Sequence, residues 1–255
     1  MRLTVIASGS RGNCALLEIG NARLLLDCGI SCKRIKTALQ PMGLTPDDLD
    51  GILITHEHTD HTTGLKTLLG HHHLPVYTRP KTMAAIGSTV PNIGDTFNPL
   101  FDRITVKDVT VEAFSTSHDA ADSIGFSVTC GEKFSLATDL GIMTDHVLAS
   151  IIDADVLLLE ANHDRQLLQR GSYPPPLKKR ILSALGHLDN RTAGETLCRL
   201  TKRPEHVILG HISEENNRPL LARQTVEAVI SEAGMLPSSF NITVLNQGDG
   251  TTVCI

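Results

Sequence analysis

The stretch ILITHEHTDHTTG, residues 52–64, ends a short apolar run and then places His56, His58, Asp60 and His61 within six positions. Imidazole and carboxylate groups are the usual protein ligands of zinc and related divalent ions. Side chains two residues apart in an extended segment point to the same side, so His56 and His58 are expected to chelate one ion. Asp60 and His61 follow where the chain is expected to turn into a helix, so they face a neighbouring position. The stretch therefore predicts a metal site with two sets of ligands.

Three more ligand-type residues follow apolar strands elsewhere in the chain. The runs VEAFSTS, FSLAT and HVILG lead into His118, Asp139 and His211. Strand ends on one edge of a sheet converge, and sites are often built there. We expect His118 to complete the first set, His211 the second, and Asp139 to bridge two ions. Either histidine taken alone is equally well explained by a structural hydrogen bond, but the combined pattern favours Zn²⁺, Mn²⁺ or Fe²⁺ over the oxygen-preferring Ca²⁺ and Mg²⁺.

Composition limits the functional classes. The 255 residues carry a formal charge of −5, which counts against a protein that holds nucleic acid by electrostatics alone, although bound cations are not in that count. The opening MRLTVIASGSRG has too few consecutive apolar residues for a signal peptide, and no apolar run approaches the length of a membrane span. Six scattered cysteines without a C-x-x-C pair predict reduced, mostly buried thiols. We expect a cytoplasmic protein without membrane association.

Short β-type runs recur along the whole chain and are separated by turn signals. In the first half, glycine breaks and short links favour antiparallel meanders. Helical periodicity is predicted at 33–41, 62–70 and 80–87, after Asp189, and from about 219 to a glycine stop at 234. This pattern predicts an α/β protein with two packed sheets, helices outside them, and a single domain over residues 1–255.

The motif THEHTDH resembles the H-x-H-x-D-H signature of the metallo-β-lactamase superfamily, with His118, Asp139 and His211 in the order of its later motifs. The resemblance covers nearly the whole chain. It implies a four-layer αββα sandwich with two metals at one edge of the sheets. It also implies that Asp27, in LLLDCG, supports the ligand loop without binding metal.

Finer features resemble the WalJ (YycJ-like) branch of that superfamily, whose members look like nucleases acting on DNA 5′ ends. These features are the segments ASGSRGNC (7–14), TDLG (138–141), EANHD (160–164), YPPPLKKRILSALGHLDN (173–190) and GHISEENN (210–217). One departure is Asp189, where that branch usually has a serine. A second negative group beside a phosphate is unhelpful, so Asp189 is expected to cap the following helix.

The chemistry expected of two metals bridged by Asp139 is hydrolysis by a hydroxide held between them, because metal binding lowers the pKa of water towards neutrality. We predict a two-metal hydrolase that cleaves phosphodiester bonds of nucleic acid, as a 5′-to-3′ DNA exonuclease, with Asp60 and His187 as catalytic residues. DNA is favoured over RNA, and the oligomeric state is left open. Alternatives are a small-molecule phosphodiesterase, thioesterase or lactonase of the same fold, and a metal-stabilised scaffold without activity.

Residues around the expected metals are candidates for substrate contacts. His187 is expected to contact a phosphate oxygen or protonate the leaving group, the alternative being a histidine packed at a helix start. Lys178 belongs to a basic run that either follows a nucleic-acid backbone or is a solvated face. Ser10 and Asn13 lie in a glycine turn that is either an anion-binding nest or a plain hairpin turn. Glu160 and His163 are expected to support metal ligands from behind.

Overall fold

The computed structural model describes residues 1–90, 93–246 and 251–254, and the chain divides into two compact units. The first unit comprises Met1–Ala113, Ala120–Ile124 and Gly248–Ile255, and the second comprises Phe114–Asp119 and Gly125–Gln247. The predicted single domain over residues 1–255 stays a prediction. Within the described residues no helix has the length and apolar character needed to cross a bilayer.

The described residues form the following strands and helices. The strands are β1 (Arg2–Ala7), β2 (Cys14–Ile19), β3 (Ala22–Leu26), β4 (Gly51–Leu53), β5 (Val76–Thr78), β6 (Phe97–Pro99), β7 (Arg103–Val106), β8 (Val109–Ser115), β9 (Ile124–Cys130), β10 (Glu132–Ala137), β11 (Val156–Glu160), β12 (His206–Gly210), β13 (Ile242–Val244) and β14 (Thr251–Cys254). The helices are α1 (Cys32–Leu39), α2 (Thr59–Thr62), α3 (Leu65–Leu69), α4 (Pro80–Gly87), α5 (Asp145–Ile151), α6 (Arg165–Arg170), α7 (Pro175–Ile181), α8 (Asn190–Arg199) and α9 (Pro219–Glu232).

The sheet of the first unit has the strand order β14-β1-β2-β3-β4-β5-β6. Strands β1, β2 and β3 pair antiparallel, as the short links predict, but β3 to β6 pair parallel. The meander expected for the first half is therefore wrong for β3 to β6, whereas β7 and β8 do pair antiparallel across a short link. Parallel neighbours need crossover connections, and α1 and the short helices after β4 and β5 lie within those connections.

The second unit is built around parallel strands. Strands β10, β11, β12 and β13 are parallel neighbours, and β9 pairs antiparallel with β10. All five residues of β11, VLLLE, are buried, as expected for a strand covered on both faces. Strand β8 runs from the first unit into the second, and its first-unit part pairs antiparallel with β7.

Several helices begin and end where the sequence predicts. Asp189 caps α8 because its side chain accepts a hydrogen bond from the Thr192 N–H at 2.9 Å. Pro80 and Pro219 occupy first-turn positions of α4 and α9, and Gly234, at φ +76°, follows the end of α9. The helices α5, α6 and α7 were not predicted, although Thr144 and Asp164 cap the first two.

The helix expected over 62–70 is wrong in its start and its continuity. It begins three residues earlier, as α2, and is interrupted before α3. The interruption lies at Gly64, where a Cβ atom would stand 2.0 Å from the Ile30 carbonyl oxygen. This close approach ties the segment after the THEHTDH motif to the segment after β3.

Each unit has its own hydrophobic core. In the first unit, residues such as Leu25, Ile35 and Ile52 are fully buried, and in the second Leu157, Leu209 and Val226 are. The thiols of Cys14, Cys28 and Cys32 are free and buried, as predicted, and desolvation raises the pKa of Cys28. The two cores hold in place the strands whose ends carry the ligand-type residues.

Candidate metal centre

The ligand-type residues of the first unit follow β4. His56 and His61 are fully buried, whereas His58 and Asp60 are partly exposed. The ring centroids of His56 lie 4.5 Å from His58 and 4.1 Å from His61, and Asp60 Oδ2 lies 3.5 Å from His61 Nε2. Because α2 begins at Thr59, Asp60 and His61 belong to its first turn. The four predicted ligands of this unit therefore lie side by side.

Asp27, at the end of β3, orients His61. Its Oδ2 accepts a hydrogen bond from His61 Nδ1 at 2.8 Å, and its Oδ1 accepts one from the Thr55 N–H at 2.8 Å. Thr55 Oγ1 also contacts His56 Nδ1 at 3.0 Å. With Nδ1 engaged in this way, Nε2 is the ring nitrogen that each histidine presents to a metal. This geometry agrees with the supporting role expected of Asp27.

The glycine turn before β2 contacts the same loop. Asn13 Oδ1 accepts from the Gly9 N–H at 2.9 Å, and Asn13 Nδ2 lies 3.0 Å from His61 Nε2. Asn13 therefore joins the turn to a predicted ligand, whereas Ser10 is exposed on the turn. Contact of either side chain with a substrate stays a prediction.

The ligand-type residues of the second unit follow the ends of β8, β10 and β12 by one to three positions. His118, Asp139 and His211 are all buried. His118 Nε2 lies 3.9 Å from Asp139 Oδ1, and His211 Nδ1 lies 3.5 Å from the same oxygen. Asp139, Glu160, His187 and His211 each offer a ligand atom, and these atoms lie within 4.8 Å of one another. The fold thus gathers residues separated by more than seventy positions in the sequence.

Glu160, the last residue of β11, is fully buried and accepts four hydrogen bonds. Its Oε1 accepts from His187 Nδ1 at 2.8 Å and from His211 Nδ1 at 2.7 Å, and its Oε2 accepts from the backbone N–H groups of Leu140 and Leu188. Burial alone would raise the pKa of this carboxyl, but the charges and hydrogen bonds of the two histidines hold it below its usual range. Glu160 is therefore ionised, and both histidines donate to it.

His118 is oriented by the backbone. Its Nδ1 donates to the Gly186 carbonyl at 3.1 Å, which again leaves Nε2 to face a metal. Burial lowers the pKa of His118, partly offset by the nearby carboxylate of Asp139. The imidazole is neutral as a result, and the neutral form is the one that binds metal.

The backbone is strained at the same positions. Among the described residues, the non-glycine residues at positive φ are Asp27 (56°), Lys107 (53°), Asp139 (58°) and His211 (53°). Such conformations are uncommon, and they persist where the surrounding structure enforces them, often at functional sites. Three of the four are Asp139 and His211, which are predicted ligands, and Asp27, which contacts one. The positive φ angles therefore turn the backbone just after the strands, at the residues that carry these side chains.

These arrangements fit divalent metal ions. Both units present buried imidazoles whose Nδ1 atoms are held by a carboxylate, a hydroxyl or a carbonyl, together with a carboxylate beside them. Histidines that bind metal are commonly oriented in this way through their second ring nitrogen. The donor set of nitrogens and carboxylate oxygens suits zinc, manganese or iron. The chain therefore carries residues able to bind divalent metal.

His187 lies between α7 and α8, beside the second-unit residues. Its ring centroid is 5.0 Å from that of His118 and 5.3 Å from that of His211. Its side chain is partly exposed, in contrast to the buried Glu160 to which it donates. His187 thus has one nitrogen fixed from behind and an open side towards solvent, which a proton donor requires.

Basic residues near His187, among them Lys178, Arg165 and Arg180, form hydrogen bonds or ion pairs within the chain. Lys178 Nζ donates to the carbonyls of Gln169 and Gly171 at 2.9 and 2.7 Å, which joins α7 to the end of α6. Arg165 pairs with Asp189 at 2.7 Å, and Arg180 pairs with Asp119. Lys178 therefore holds two helices together, and its contact with substrate stays a prediction.

His163 does not support a ligand as expected. It is 1% exposed, but neither ring nitrogen has a hydrogen-bond partner within the described part of the chain. Sequence reasoning gave no role to its neighbour Asn162, whose Nδ2 donates to the His211 carbonyl at 2.9 Å. The available signal was its place directly after β11, in EANHD, where a polar side chain leaves a buried strand.

The sequence profile described as the beta-lactamase superfamily domain matches residues 22–212. The chain is 37% identical over 241 residues to the exodeoxyribonuclease WalJ of Streptococcus pneumoniae, covering 92% of this chain and 90% of that protein. It is 36% identical to the exodeoxyribonuclease YycJ of Bacillus anthracis with the same coverage. The structure of the metallo-beta-lactamase fold protein YhfI from Bacillus subtilis matches 98% of both chains at 17% identity and a TM-score of 0.73, which confirms the predicted α/β class and fold.

Proposed function

The chain belongs to the metallo-β-lactamase superfamily, in its WalJ/YycJ branch, and from this premise we propose that it is a metal-dependent 5′-to-3′ exodeoxyribonuclease. The observation that carries the proposal is the identity of 36–37% over 92% of the chain to two proteins named exodeoxyribonucleases. Similarity at this level over nearly the full length of both chains includes the segments around His187, which lie outside the histidine motif itself.

The proposed cofactors are two divalent ions, zinc or manganese, with iron as a third candidate. The proposed ligands are His56, His58, Asp60, His61, His118, Asp139 and His211. The buried imidazoles with oriented Nδ1 atoms support this assignment. When bound, such ions lower the pKa of water and neutralise charge that develops on a phosphoryl group.

The chain's own residues supply the proton transfers of the proposed reaction. Asp60 is proposed to accept the proton of an attacking water, and its partial exposure in the first turn of α2 supports this role. His187 presents Nε2 to the substrate while its Nδ1 donates to Glu160. In its imidazolium form, with the Nδ1 proton held by Glu160, His187 would give its Nε2 proton to the leaving oxygen. This division of roles suits in-line cleavage of a phosphodiester.

The proposal is tested on labelled, 5′-phosphorylated single- and double-stranded DNA and RNA, with Mn²⁺ or Zn²⁺ added. A 5′-to-3′ exonuclease releases a labelled mononucleotide at once from a 5′-labelled DNA strand, and shortens a 3′-labelled strand progressively. We expect Asp139→Ala to remove this activity, and Asp153→Ala, which changes an exposed carboxylate of the same unit, to retain it.

Three results would contradict the proposal or a part of it. If the wild-type protein with either metal leaves every DNA and RNA intact but cleaves a thioester, a lactone or a small phosphodiester, the nuclease proposal is wrong. Internal cuts in a circular DNA would reject the exonuclease part alone. Loss of activity in Asp153→Ala equal to that in Asp139→Ala would reject the role of Asp139.

A further inference from the structure

Arg79 is a partly exposed cation of the first unit that has no partner among the described residues. Its Nε atom is buried, and its guanidinium forms neither a hydrogen bond nor an ion pair with the part of the chain that the structure describes. Other arginines of the unit do pair, as Arg23 does with Glu18 and Arg103 with Glu112. Arginine is seldom buried without a partner, and a polar atom shielded from water normally has one. The structure thus indicates that Arg79 takes its partner from outside the chain.

The sheet of the first unit places Arg79 beside the loop that carries the predicted metal ligands. Strand β5 pairs parallel with β4, and Tyr77 is the partner of Leu53. Two residues further along each strand, this register sets Arg79 level with Thr55, the residue before His56. Neighbouring strands lie about 5 Å apart. The backbone of Arg79 is therefore about one strand spacing from the start of the ligand loop.

Hydrogen bonds beyond the paired residues hold the backbone at this point. The Ile54 N–H donates to the Tyr77 carbonyl at 3.0 Å, and Thr78 Oγ1 donates to the Ile54 carbonyl at 2.9 Å. On the other side, the Leu100 N–H donates to the Thr78 carbonyl at 2.9 Å. Because Thr78 is fully buried and bound from both sides, the chain that carries Arg79 has a fixed position.

The alternation of side chains along β5 gives Arg79 the same face of the sheet as Thr55. Val76 packs in the hydrophobic core of the unit, so the next residue, Tyr77, faces the opposite side. Arg79 has extended backbone angles, φ −69° and ψ 147°, so it shares the face of Tyr77. Level residues of neighbouring strands face the same side of a sheet. Thr55 is the level residue here, and its Oγ1 lies 3.2 Å from His61 Nδ1.

The chemistry of the guanidinium and of the proposed substrate selects a phosphate as the partner of Arg79. A guanidinium is planar, stays charged at physiological pH and donates two parallel hydrogen bonds to a phosphate or a carboxylate. A DNA strand offers no carboxylate, but it carries one phosphate for about every 3.4 Å of the duplex axis. A strand whose scissile phosphate lies at the ligand loop therefore brings a further phosphate past the neighbouring strand end, where Arg79 is located.

We propose that Arg79 binds a phosphate of the DNA strand other than the one that is cleaved, and so aligns the strand with the ligand loop. The inference rests on the proposed nuclease function and extends it, because it names a residue that recognises the substrate. Arg79 is outside the proposed set of metal ligands and takes no part in proton transfer. Its loss should therefore weaken binding of the strand and leave the chemical step intact.

The test measures how binding of DNA depends on salt. The probe is a fluorescent 5′-phosphorylated single strand with phosphorothioate linkages, which keep the charge and resist hydrolysis, and its affinity for the full-length, metal-loaded protein is measured by anisotropy. We expect Arg79→Ala to weaken binding about tenfold at low salt. The slope of log affinity against log salt should become shallower by about 0.7, the contribution of one phosphate contact on a single strand. An unchanged affinity and slope would overturn the proposal.

Three further variants separate the contact from net charge and from folding. Arg103→Ala removes the same charge from an arginine of this unit that already pairs with Glu112, and should leave affinity and slope unchanged. Arg79→Lys keeps the charge but not the paired donors, so it should retain the slope with an intermediate affinity. Should Arg79→Ala fail to fold, Arg79→Gln takes its place with the same expected slope. Equal effects of Arg103→Ala and Arg79→Ala would reject the assignment.

A 5′-hydroxyl strand of the same sequence identifies which phosphate Arg79 contacts. If Arg79→Ala weakens binding of both strands equally, the contact is to an internucleotide phosphate. If the loss is confined to the 5′-phosphorylated strand, the contact is to the terminal phosphate. Kinetics on an ordinary DNA strand give an independent measure, because Arg79→Ala should raise KM about tenfold and change kcat less than about twofold. A loss in kcat alone would contradict a binding role.

Failure of this inference and failure of the proposed function are distinguishable. Hydrolysis of DNA by the wild-type protein tests the function, and the salt dependence of binding tests Arg79. If the protein degrades DNA and Arg79→Ala binds the strand as the wild type does, the function is retained and the inference is wrong. If the protein leaves DNA intact but binds it through Arg79, the phosphate contact is retained and the proposed function is wrong.

Discussion

Nδ1 of His187 donates to Glu160 Oε1 over 2.8 Å, although the two residues are 27 positions apart in the chain. The same oxygen accepts from His211 Nδ1 at 2.7 Å, so one carboxylate orients both the proposed proton donor and a proposed metal ligand. Removing Glu160 and removing His187 should therefore have different consequences.

His187→Ala should lower the rate of DNA hydrolysis about 100- to 10,000-fold, the usual effect of losing a general acid. Its metal content should be unchanged, because His187 is outside the proposed ligand set. Glu160→Gln should lower the rate and also weaken metal binding about 10- to 100-fold, because His211 loses its anionic partner. The rate of DNA hydrolysis and the metal content, measured on the same samples of each variant, check the two expectations. Equal metal loss in the two variants would contradict this division of roles.

Asp27→Asn should weaken metal binding about 10- to 100-fold, because the carboxylate that receives the His61 Nδ1 proton is lost. Competition with a chromophoric chelator measures the affinity. Asp108→Asn changes a surface carboxylate of the same unit that contacts Asn21, and should leave the affinity as it is. An unchanged affinity in Asp27→Asn would show that His61 does not depend on this contact.

Gly29→Ala should disturb the metal loop, because a Cβ atom at position 29 would lie 1.6 Å from the Asp60 carbonyl oxygen. The backbone that carries Asp60 must move, so metal affinity should fall at least tenfold and the melting temperature should fall with it. Gly87→Ala at the end of α4, where no atom lies within 4 Å, is the control. A Gly29→Ala protein with normal affinity would mean that the loop adapts without cost.

Asp189→Asn should lower stability by about 1 kcal/mol at pH 7, because asparagine still caps α8 but loses the charge that holds Arg165. Burial raises the pKa of Asp189, but the Thr192 and Arg165 hydrogen bonds lower it further, so the net pKa is depressed. The ionised form therefore contributes stability above the unfolded pKa of about 3.9, which is lost as the pH falls through the folded value. Urea unfolding at pH 7 and pH 3 should show the difference between variant and wild type shrinking with acid. If the difference in the free energy of unfolding between Asp189→Asn and wild type were the same at pH 7 and pH 3, the stabilising role of the ionised Asp189 would be contradicted.

The sequence predicted those parts of the candidate site that depend only on residues close together in the chain. Ligand-type residues follow apolar strands directly, as with His56 after β4 and His211 after β12, and strand periodicity is readable over five or six residues. The cap at Asp189 was foreseen for the same reason, since its partner Thr192 is three residues away. The metallo-β-lactamase resemblance of THEHTDH supplied the fold.

The predictions from the sequence were wrong where contacts between residues far apart in the chain decide the local structure. The parallel pairing of β3 with β4 depends on a crossover that strand composition does not encode. The expected helix over 62–70 breaks because Gly64 meets the chain near Ile30. His163 was expected to support a ligand, but neither of its ring nitrogens has a hydrogen-bond partner in the described residues, and Asn162 makes the contact to His211.

The sequence by itself determined which chemical groups this protein can bring to a metal, because residue type and position after a strand are properties of short segments. Only the tertiary structure decided which ring nitrogen of each histidine is held and by what: Asp27 for His61, Gly186 for His118, and Glu160 for His187 and His211. A hydrogen bond forms over about 3 Å, and residues 27 to 68 positions apart reach that distance only when strands and loops are packed together. The open nitrogens, and hence the chemistry, follow from that packing.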